Sequence, residues 1–222
     1  MFINKSMTVN VIKITEDKTL AQAKKKMTLH GEIRHLPVVD AANTLIGIIT
    51  DRDIRSALPS DRNVCAPEIK AASEKLKVKD IMTKNVVVIT SEGTIQDALL
   101  LTQKYKVGAL PVVDGKKGLV GIISTRDLLR AFINVLGIKE PGTLLCLIVE
   151  DEFGIMKKIT DAIYEEKIST GSILVARYWE KNKRAVFPYL LTQQVTNIKK
   201  RFQSLGFQLL DPMDWSLEPD TK

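Results

Sequence analysis

Cysteine is nearly absent from this chain: Cys65 and Cys146 are its only two, and they lie far apart in the sequence. They form no disulfide framework, which excludes a small bridge-held scaffold and fits a reducing cytosol. Aromatic residues reach only 5%. None interleaves with Lys24-Lys25-Lys26, the one tight basic cluster of the first half, so that cluster reads as a solvated helix face and not as a nucleic-acid stacking platform. No Cys/His spacing suits a metal, and no Walker-type loop or G-x-S-x-G elbow occurs. Long apolar runs are missing too: the longest strand-like one is 144–149, far short of the eighteen or so residues that span a bilayer. The first seven residues contain no apolar signal region. The expected location is therefore cytoplasmic, with no membrane partner.

What is present is an ordinary globular composition, 45% apolar and 27% charged over 222 residues. The net charge of +7 is unevenly placed. Residues 1–137 hold 21 basic against 14 acidic side chains, and residues 138–222 hold 12 of each. The basic excess favours an anionic ligand or partner for the first part, although scattered lysines also simply solvate a surface.

That first part is an internal repeat. Met7-Thr8 recurs as Met82-Thr83, Asn10-Val11 as Asn85-Val86 and Ile14-Thr15 as Ile89-Thr90, all 75 positions on. From Ile33 the offset is 74, so that Leu36-Pro37-Val38-Val39-Asp40 matches Leu110-Pro111-Val112-Val113-Asp114. The seven residues from Gly47 to Asp53 return as those from Gly121 to Asp127, Gly-Ile-Ile-Ser/Thr-x-Arg-Asp in both. Each copy ends a β-branched strand and delivers a hydroxyl, an arginine and a carboxylate where a helix begins: Thr50, Arg52 and Asp53, then Ser124, Arg126 and Asp127. Free N–H groups and the helix dipole make such a point a natural phosphate site. The hydroxyl and arginine suit phosphate oxygens, and the carboxylate suits the vicinal hydroxyls of a ribose. The same Ser/Thr-x-x-Asp pattern is equally a capping-box variant, and the two roles are compatible.

Each unit of about fifty residues reads β-α-β-β-α. Residues 9–14 and 86–89 form short β-branched strands. Leu20, Ala23 and Met27 make one helical stripe, and Ile95, Ala98 and Thr102 make its counterpart. Two strands then flank the turns 40–44 and 114–118. The closing helix of the second unit carries Leu128, Leu129, Phe132, Ile133 and Leu136 on one face and ends at Gly137. Residues 59–79 read as a mostly exposed connection. Units this small bury too little alone, so the two should pack together.

In order and spacing, these motifs resemble the CBS domain used in tandem as a Bateman module, with repeats at 1–60 and 76–137. The resemblance implies a regulatory module binding adenine nucleotides or related adenosine ligands (AMP, ADP or ATP; NAD or S-adenosylmethionine), with no metal required. It implies that Thr50 and Ser124 contact phosphate and that Asp53 and Asp127 hold ribose. It also implies that Ile33, Arg34 and His35 in the first copy, and Val107, Gly108 and Ala109 in the second, form the shelf for the base. Gly108 and Ala109 are small and Arg34 and His35 are large, so the better-bound nucleotide is expected beside Asp127.

Beyond Gly137, Glu140-Pro141-Gly142 marks a linker. Strands at 144–149, 172–176, 185–191 and 207–210 alternate with two amphipathic helices, one striped by Ile155, Ile159, Ala162 and Ile163. The other is striped by Val195, Ile198, Phe202 and Leu205. The order β-α-β-β-α-β is ferredoxin-like, so the fold class is α/β (α+β). A strand ending in Asp151-x-x-Gly154 before a helix resembles the ACT domain over 142–211, which implies either an amino-acid-like ligand near Gly154 or a dimerising unit. Residues 211–222 are expected to trail off. Two CBS-like units and one ACT-like unit together resemble the AcuB-type acetoin utilisation proteins, implying a regulator linked to acetoin or butanediol breakdown whose target protein the sequence leaves unnamed. Small paired units also leave apolar faces uncovered, so a homodimer or higher homo-oligomer is expected. A ligand-sensing protein that is not an enzyme accounts for most of these features. The alternatives are a nucleic-acid-binding regulator, motivated by the charge, and a nucleotide-processing enzyme with Asp53 or Asp127 as general base.

Overall fold

The computed structural model describes residues 1–31, 33–59 and 66–210. Cys65 and the expected tail at 211–222 lie outside them. The chain divides into two compact units, 1–131 and 132–222.

In the first unit a short 3-10 turn, Ile3–Lys5, precedes α1 (Leu20–Leu29), β1 (His35–Val39), β2 (Leu45–Thr50) and α2 (Asp51–Ala57). Next come α3 (Ala66–Lys75) and α4 (Val78–Ile81), then β3 (Ile89–Thr90), α5 (Ile95–Tyr105), β4 (Ala109–Val113), β5 (Leu119–Ser124) and α6 (Thr125–Leu136). Local chemistry sets the starts. Thr19 and Thr94 cap α1 and α5, each closed into a box by the residue three on, Gln22 and Asp97. The expected stripes are buried in full: Leu20, Ala23 and Met27 on α1, and Ile95, Ala98 and Thr102 on α5. Each large aliphatic among them contributes about 1.5–3 kcal/mol by leaving water. The antiparallel hairpins β1-β2 and β4-β5 share one register, down to the same irregularity after Val38 and Val112. Their turns match too. Asp40 accepts the N–H groups of Ala42 and Thr44, as Asp114 accepts those of Lys116 and Gly118.

Three expectations need correction. Residues 9–14 form no strand; only bridges form there, Thr8 to Ile122 and Ile14 to Val38, and the matching segment in copy two is the two-residue β3. The connection at 59–79 is mostly exposed over its described residues, as expected, but it is helical, carrying α3 and the start of α4, and Val78 is wholly buried. On α6 the buried pair is Leu128 and Ala131, while Leu129 and Phe132 are exposed.

The cores do not follow the repeats. Ile3 packs with Ile89, Ile95, Leu110, Ile123 and Leu128 of the second copy. Val78 packs with Leu20, Leu36, Ile49 and Ile54 of the first. The crossing continues through backbone bonds. Ile3 N–H donates to Gly93 O (2.8 Å) and Val78 N–H to Lys18 O (2.8 Å), and Thr8 pairs with Ile122 as Thr83 pairs with Ile48. Two glycines permit that approach: a Cβ on Gly47 would meet Met82 Sδ at 2.7 Å, and one on Gly121 would meet Met7 Sδ at 2.6 Å.

The second unit carries β6 (Thr143–Leu144), β7 (Cys146–Glu150), α7 (Ile155–Glu165), β8 (Thr170–Glu180), β9 (Lys183–Leu190), α8 (Thr196–Ser204) and β10 (Gln208–Leu210). The strands lie in the order β10-β7-β9-β8, with every pairing antiparallel. That is the arrangement of a β-α-β-β-α-β ferredoxin-like unit. β6 continues the line of β7 along the same edge of β9, so the strand expected at 144–149 is one line broken at Leu145. Its core sets Leu147, Ile159, Leu190, Ile198 and Phe202 under one face of the sheet. No helix among the described residues is long and apolar enough to cross a membrane.

Candidate ligand clefts

Both copies of the Gly-Ile-Ile-Ser/Thr-x-Arg-Asp stretch deliver their polar residues at a strand-to-helix junction, and each junction faces a cleft between the repeats. Thr50 is the N-cap of α2. Its N–H and hydroxyl both donate to Asp53 Oδ2 at 2.8 Å, and Asp53 N–H returns a bond to Thr50 Oγ1 at 3.2 Å. Ser124 and Asp127 repeat the pattern at 3.0, 2.6 and 3.3 Å. The capping reading is thus realised at both sites, and in each the side chains still line a cleft. Arg130 adds a bond to Asp127 Oδ1 at 3.3 Å.

The cleft beside Asp127 has a volume of about 430 Å³. Ser124, Arg126 and Asp127 form one side of it, and Thr8, Asn10, Val11, Ile12 and Ile33 of the first copy form the other. The cleft beside Asp53 has a volume of about 700 Å³, with Thr50, Arg52, Asp53 and Arg55 facing Thr83, Asn85, Val86, Val87 and Val107. Arg34, His35, Gly108 and Ala109 line both clefts. The shelf residues are therefore not assigned copy by copy. Ile33 faces Asp127, Val107 faces Asp53, and the four residues after them are shared. The crossing of residues 8–12 and 83–87 onto the opposite hairpin causes the exchange. These two segments line the clefts without belonging to the strand-to-helix motif, and the repeated Thr-x-Asn-Val is the sequence signal that marks them.

His35 sits at the divide. Its imidazole occupies the space a Cβ on Gly108 would need, with Nε2 2.8 Å from that position, so Gly108 is required for the close approach. Burial pushes the His35 pKa below the usual 6.5; nearby Asp53 draws it back up and Arg34 pushes it down. The imidazole is therefore neutral near pH 7 and able both to donate and to accept a hydrogen bond. Arg126 on one side and Arg52 on the other supply the cationic donors. Each cleft so offers a carboxylate, a cation and an apolar wall. Among the described residues no group of His, Cys, Asp and Glu is placed to hold a metal ion.

Comparison with known proteins finds relatives of the first unit. A CBS domain-containing protein of Dictyostelium discoideum is 37% identical over 139 residues, which cover 61% of this chain and 94% of the relative. An inosine-5'-monophosphate dehydrogenase of Methanocaldococcus jannaschii is 38% identical over 122 residues, 54% of this chain but only 21% of the enzyme's own length. A crystal structure from Vibrio cholerae described as an acetoin utilization protein (AcuB) matches with a TM-score of 0.52 at 30% identity, covering 64% of this chain and 98% of that one. The CBS domain pair of protein MJ0100, in complex with 5'-methylthioadenosine and S-adenosyl-L-methionine, matches with a TM-score of 0.50 at 28% identity, covering 60% and 95%. The ferredoxin-like unit rests on its topology alone. Residues 3–60 and 78–134, more than half of the chain, match the family model for the CBS domain, and the chain belongs to the CBS domain family.

Proposed function

We propose that this chain is a ligand-sensing regulatory protein, not an enzyme, that binds an adenosine-containing molecule in the clefts between its two CBS repeats. The observation that carries the reading is the paired site. Twice, a hydroxyl, an arginine and a carboxylate meet at a helix start, facing a segment supplied by the other repeat. An aspartate fits two ribose hydroxyls, the arginine and helix start fit phosphate, and the apolar wall fits a base. The adenosine ligands bound to the CBS pair of protein MJ0100 support the same chemistry. Arg55 is paired with Asp51 at 3.0 Å, so Arg52 and Lys106, with Arg34, are the cations that the Asp53 cleft offers a phosphate chain, which suits a ligand with more phosphates. The smaller Asp127 cleft suits a nucleoside with few or none.

The ferredoxin-like unit serves as a second input or as a dimerising element in this reading. Gly154 takes φ +88° at the start of α7 with open space about it, and Phe153 beside it is fully exposed. An ACT-like unit would meet an amino-acid-like ligand or a second copy there. The likeness to the Vibrio cholerae protein, described as an acetoin utilization protein, supports a role for this chain in acetoin utilisation. Calorimetry with AMP, ADP, ATP, NAD, S-adenosylmethionine and 5'-methylthioadenosine tests the reading. At least one is expected to bind, and at a hundred times its Kd it should stabilise the fold by about 2.7 kcal/mol. No binding of any of them at millimolar concentration overturns the proposal, and turnover of a bound nucleotide overturns its non-catalytic part.

A further inference from the structure

A third cavity, of about 600 Å³, lies on the first repeat and shares no residue with either cleft. Lys13, Lys18 and Lys26 line it, together with Gln22, Thr15 and Asn43. Gln22 and Lys26 fall at i and i+4 on one face of α1, and Lys18 comes from the turn just before its N-cap, Thr19. Lys13 comes from the segment bridged to β1.

The charges there are only partly neutralised. Lys26 Nζ donates to the Lys13 carbonyl at 2.6 Å, and Lys13 Nζ donates to Asn43 Oδ1. Among the described residues neither pairs with a carboxylate, and an ammonium group with three donors keeps two for a ligand. Lys18 pairs with Asp17 at 3.3 Å, an exposed ion pair that a stronger anion can displace. The one carboxylate on the wall, Asp40, has Oδ1 committed to the N–H groups of Ala42 and Thr44.

The second repeat supplies an internal control. Where the first has Lys13, Lys18 and Lys26, the second has Val88, Gly93 and Leu101. The two copies share backbone register and core, so the fold does not require these lysines. Three cations gathered on one cavity by two separate segments are a feature of this repeat alone.

We infer that this cavity is a second ligand site, separate from the CBS clefts, that takes a compact polyanion: a chain of two or three phosphates, either free or carried by a nucleotide. Each lysine meets a phosphate oxygen as a point charge, and the Gln22 side-chain amide adds a neutral donor, while Asn43, which donates to Leu119 O at 3.0 Å, accepts from Lys13 and holds that ammonium at the cavity. The inference is independent of the function proposed for the clefts.

The test is calorimetry of the full chain with inorganic tripolyphosphate at low salt. The triple variant Lys13→Gln, Lys18→Gln, Lys26→Gln is expected to lose at least tenfold in affinity. Lys24→Gln with Lys25→Gln, which removes two charges from the same helix away from the cavity, should change affinity less than threefold. Arg52→Gln with Arg126→Gln removes whatever share of binding the clefts contribute, and titration on that background should still show a site that the lysine triple variant abolishes. A triple Lys→Arg variant keeps the charge and should keep binding, which separates loss of the site from loss of the fold. Repeating the titration with ATP on the Asp53→Asn, Asp127→Asn background identifies the source. Binding that the three Lys→Gln changes abolish assigns a nucleotide-borne chain, and no ATP binding beside retained tripolyphosphate binding assigns a free one. The inference falls if the wild-type chain binds no tripolyphosphate at millimolar concentration. It falls equally if the Lys24/Lys25 pair costs as much as the triple variant, or if only the arginine changes abolish binding.

Discussion

The helices α1 and α5 occupy the same place in the two CBS repeats, yet their middles have opposite chemistry. Lys24, Lys25 and Lys26 on the first correspond to Leu99, Leu100 and Leu101 on the second. The residues on either side barely differ in role: Ala23 and Ala98 are fully buried, and Met27 and Thr102 close the same stripe. The inner face obeys the core, where a change of one methylene is felt. The outer face is released from that demand, so differences there report what each copy does. On the second repeat Leu99 and Leu100 stay exposed, as do Leu129 and Phe132 on α6. The first repeat shows lysines and a cationic cavity instead. Duplication has been kept inside and spent outside.

The largest way to break the comparison is to attack what the copies share. Ile3 is wholly buried in the second repeat's core. Ile3→Ala should destabilise the protein by about 2–5 kcal/mol. Chemical denaturation should show one transition for the paired repeats moving as a whole. If residues 4–60 kept their melting point while 89–131 lost theirs, the repeats would be independent.

A smaller effect sharpens the contrast between the clefts. The expectation that Gly108 and Ala109 favour Asp127 loses its footing, because both clefts use them. What differs is charge and size. Asp127→Asn should therefore weaken an uncharged nucleoside such as 5'-methylthioadenosine more than Asp53→Asn does, by about 1.5–3 kcal/mol, or roughly ten- to hundredfold. The order should reverse for ATP. Calorimetry on the two variants checks this, and an identical ranking for both ligands contradicts it.

The smallest effect concerns what the clefts share. Burial lowers the His35 pKa in the folded chain. The folded state thus prefers the neutral ring, and stability present above pH 6.5 should decline as the pH falls through the lowered value. His35→Gln should flatten that part of the stability–pH curve without changing the plateau above neutrality. A variant curve parallel to the wild-type one would locate the titration elsewhere.

Much of this was readable from the chain. Helical stripes such as Leu20, Ala23 and Met27 show because a buried face imposes its period on residue choice. The two capping boxes show because they are local. The pairing of residues 8–12 with the other repeat's hairpin could not be read, since a β-branched run carries no mark of its partner. Residues 9–14 looked like a strand for the same reason, whereas their backbone borders a cleft. α3 was hidden by charge: it buries only Ser73, so it has no apolar stripe to betray it. The site residues were visible by type and position, but which of them face one another depended on the crossing.

That crossing also bears on the order in which the protein is made. Synthesis runs from the N-terminus, and a domain usually condenses once its last core residue has emerged. Here the first repeat waits for Val78, some twenty residues past the end of its own α2, while Ile3 waits for a core whose furthest member is Ala131. A nascent chain stopped near residue 60 would hold most of one repeat and a surplus apolar N-terminus belonging to the next. The paired repeats are therefore expected to fold as one unit, and the high sequence separation of their shared contacts should make that folding slow. The clefts inherit that property: neither exists until both repeats do.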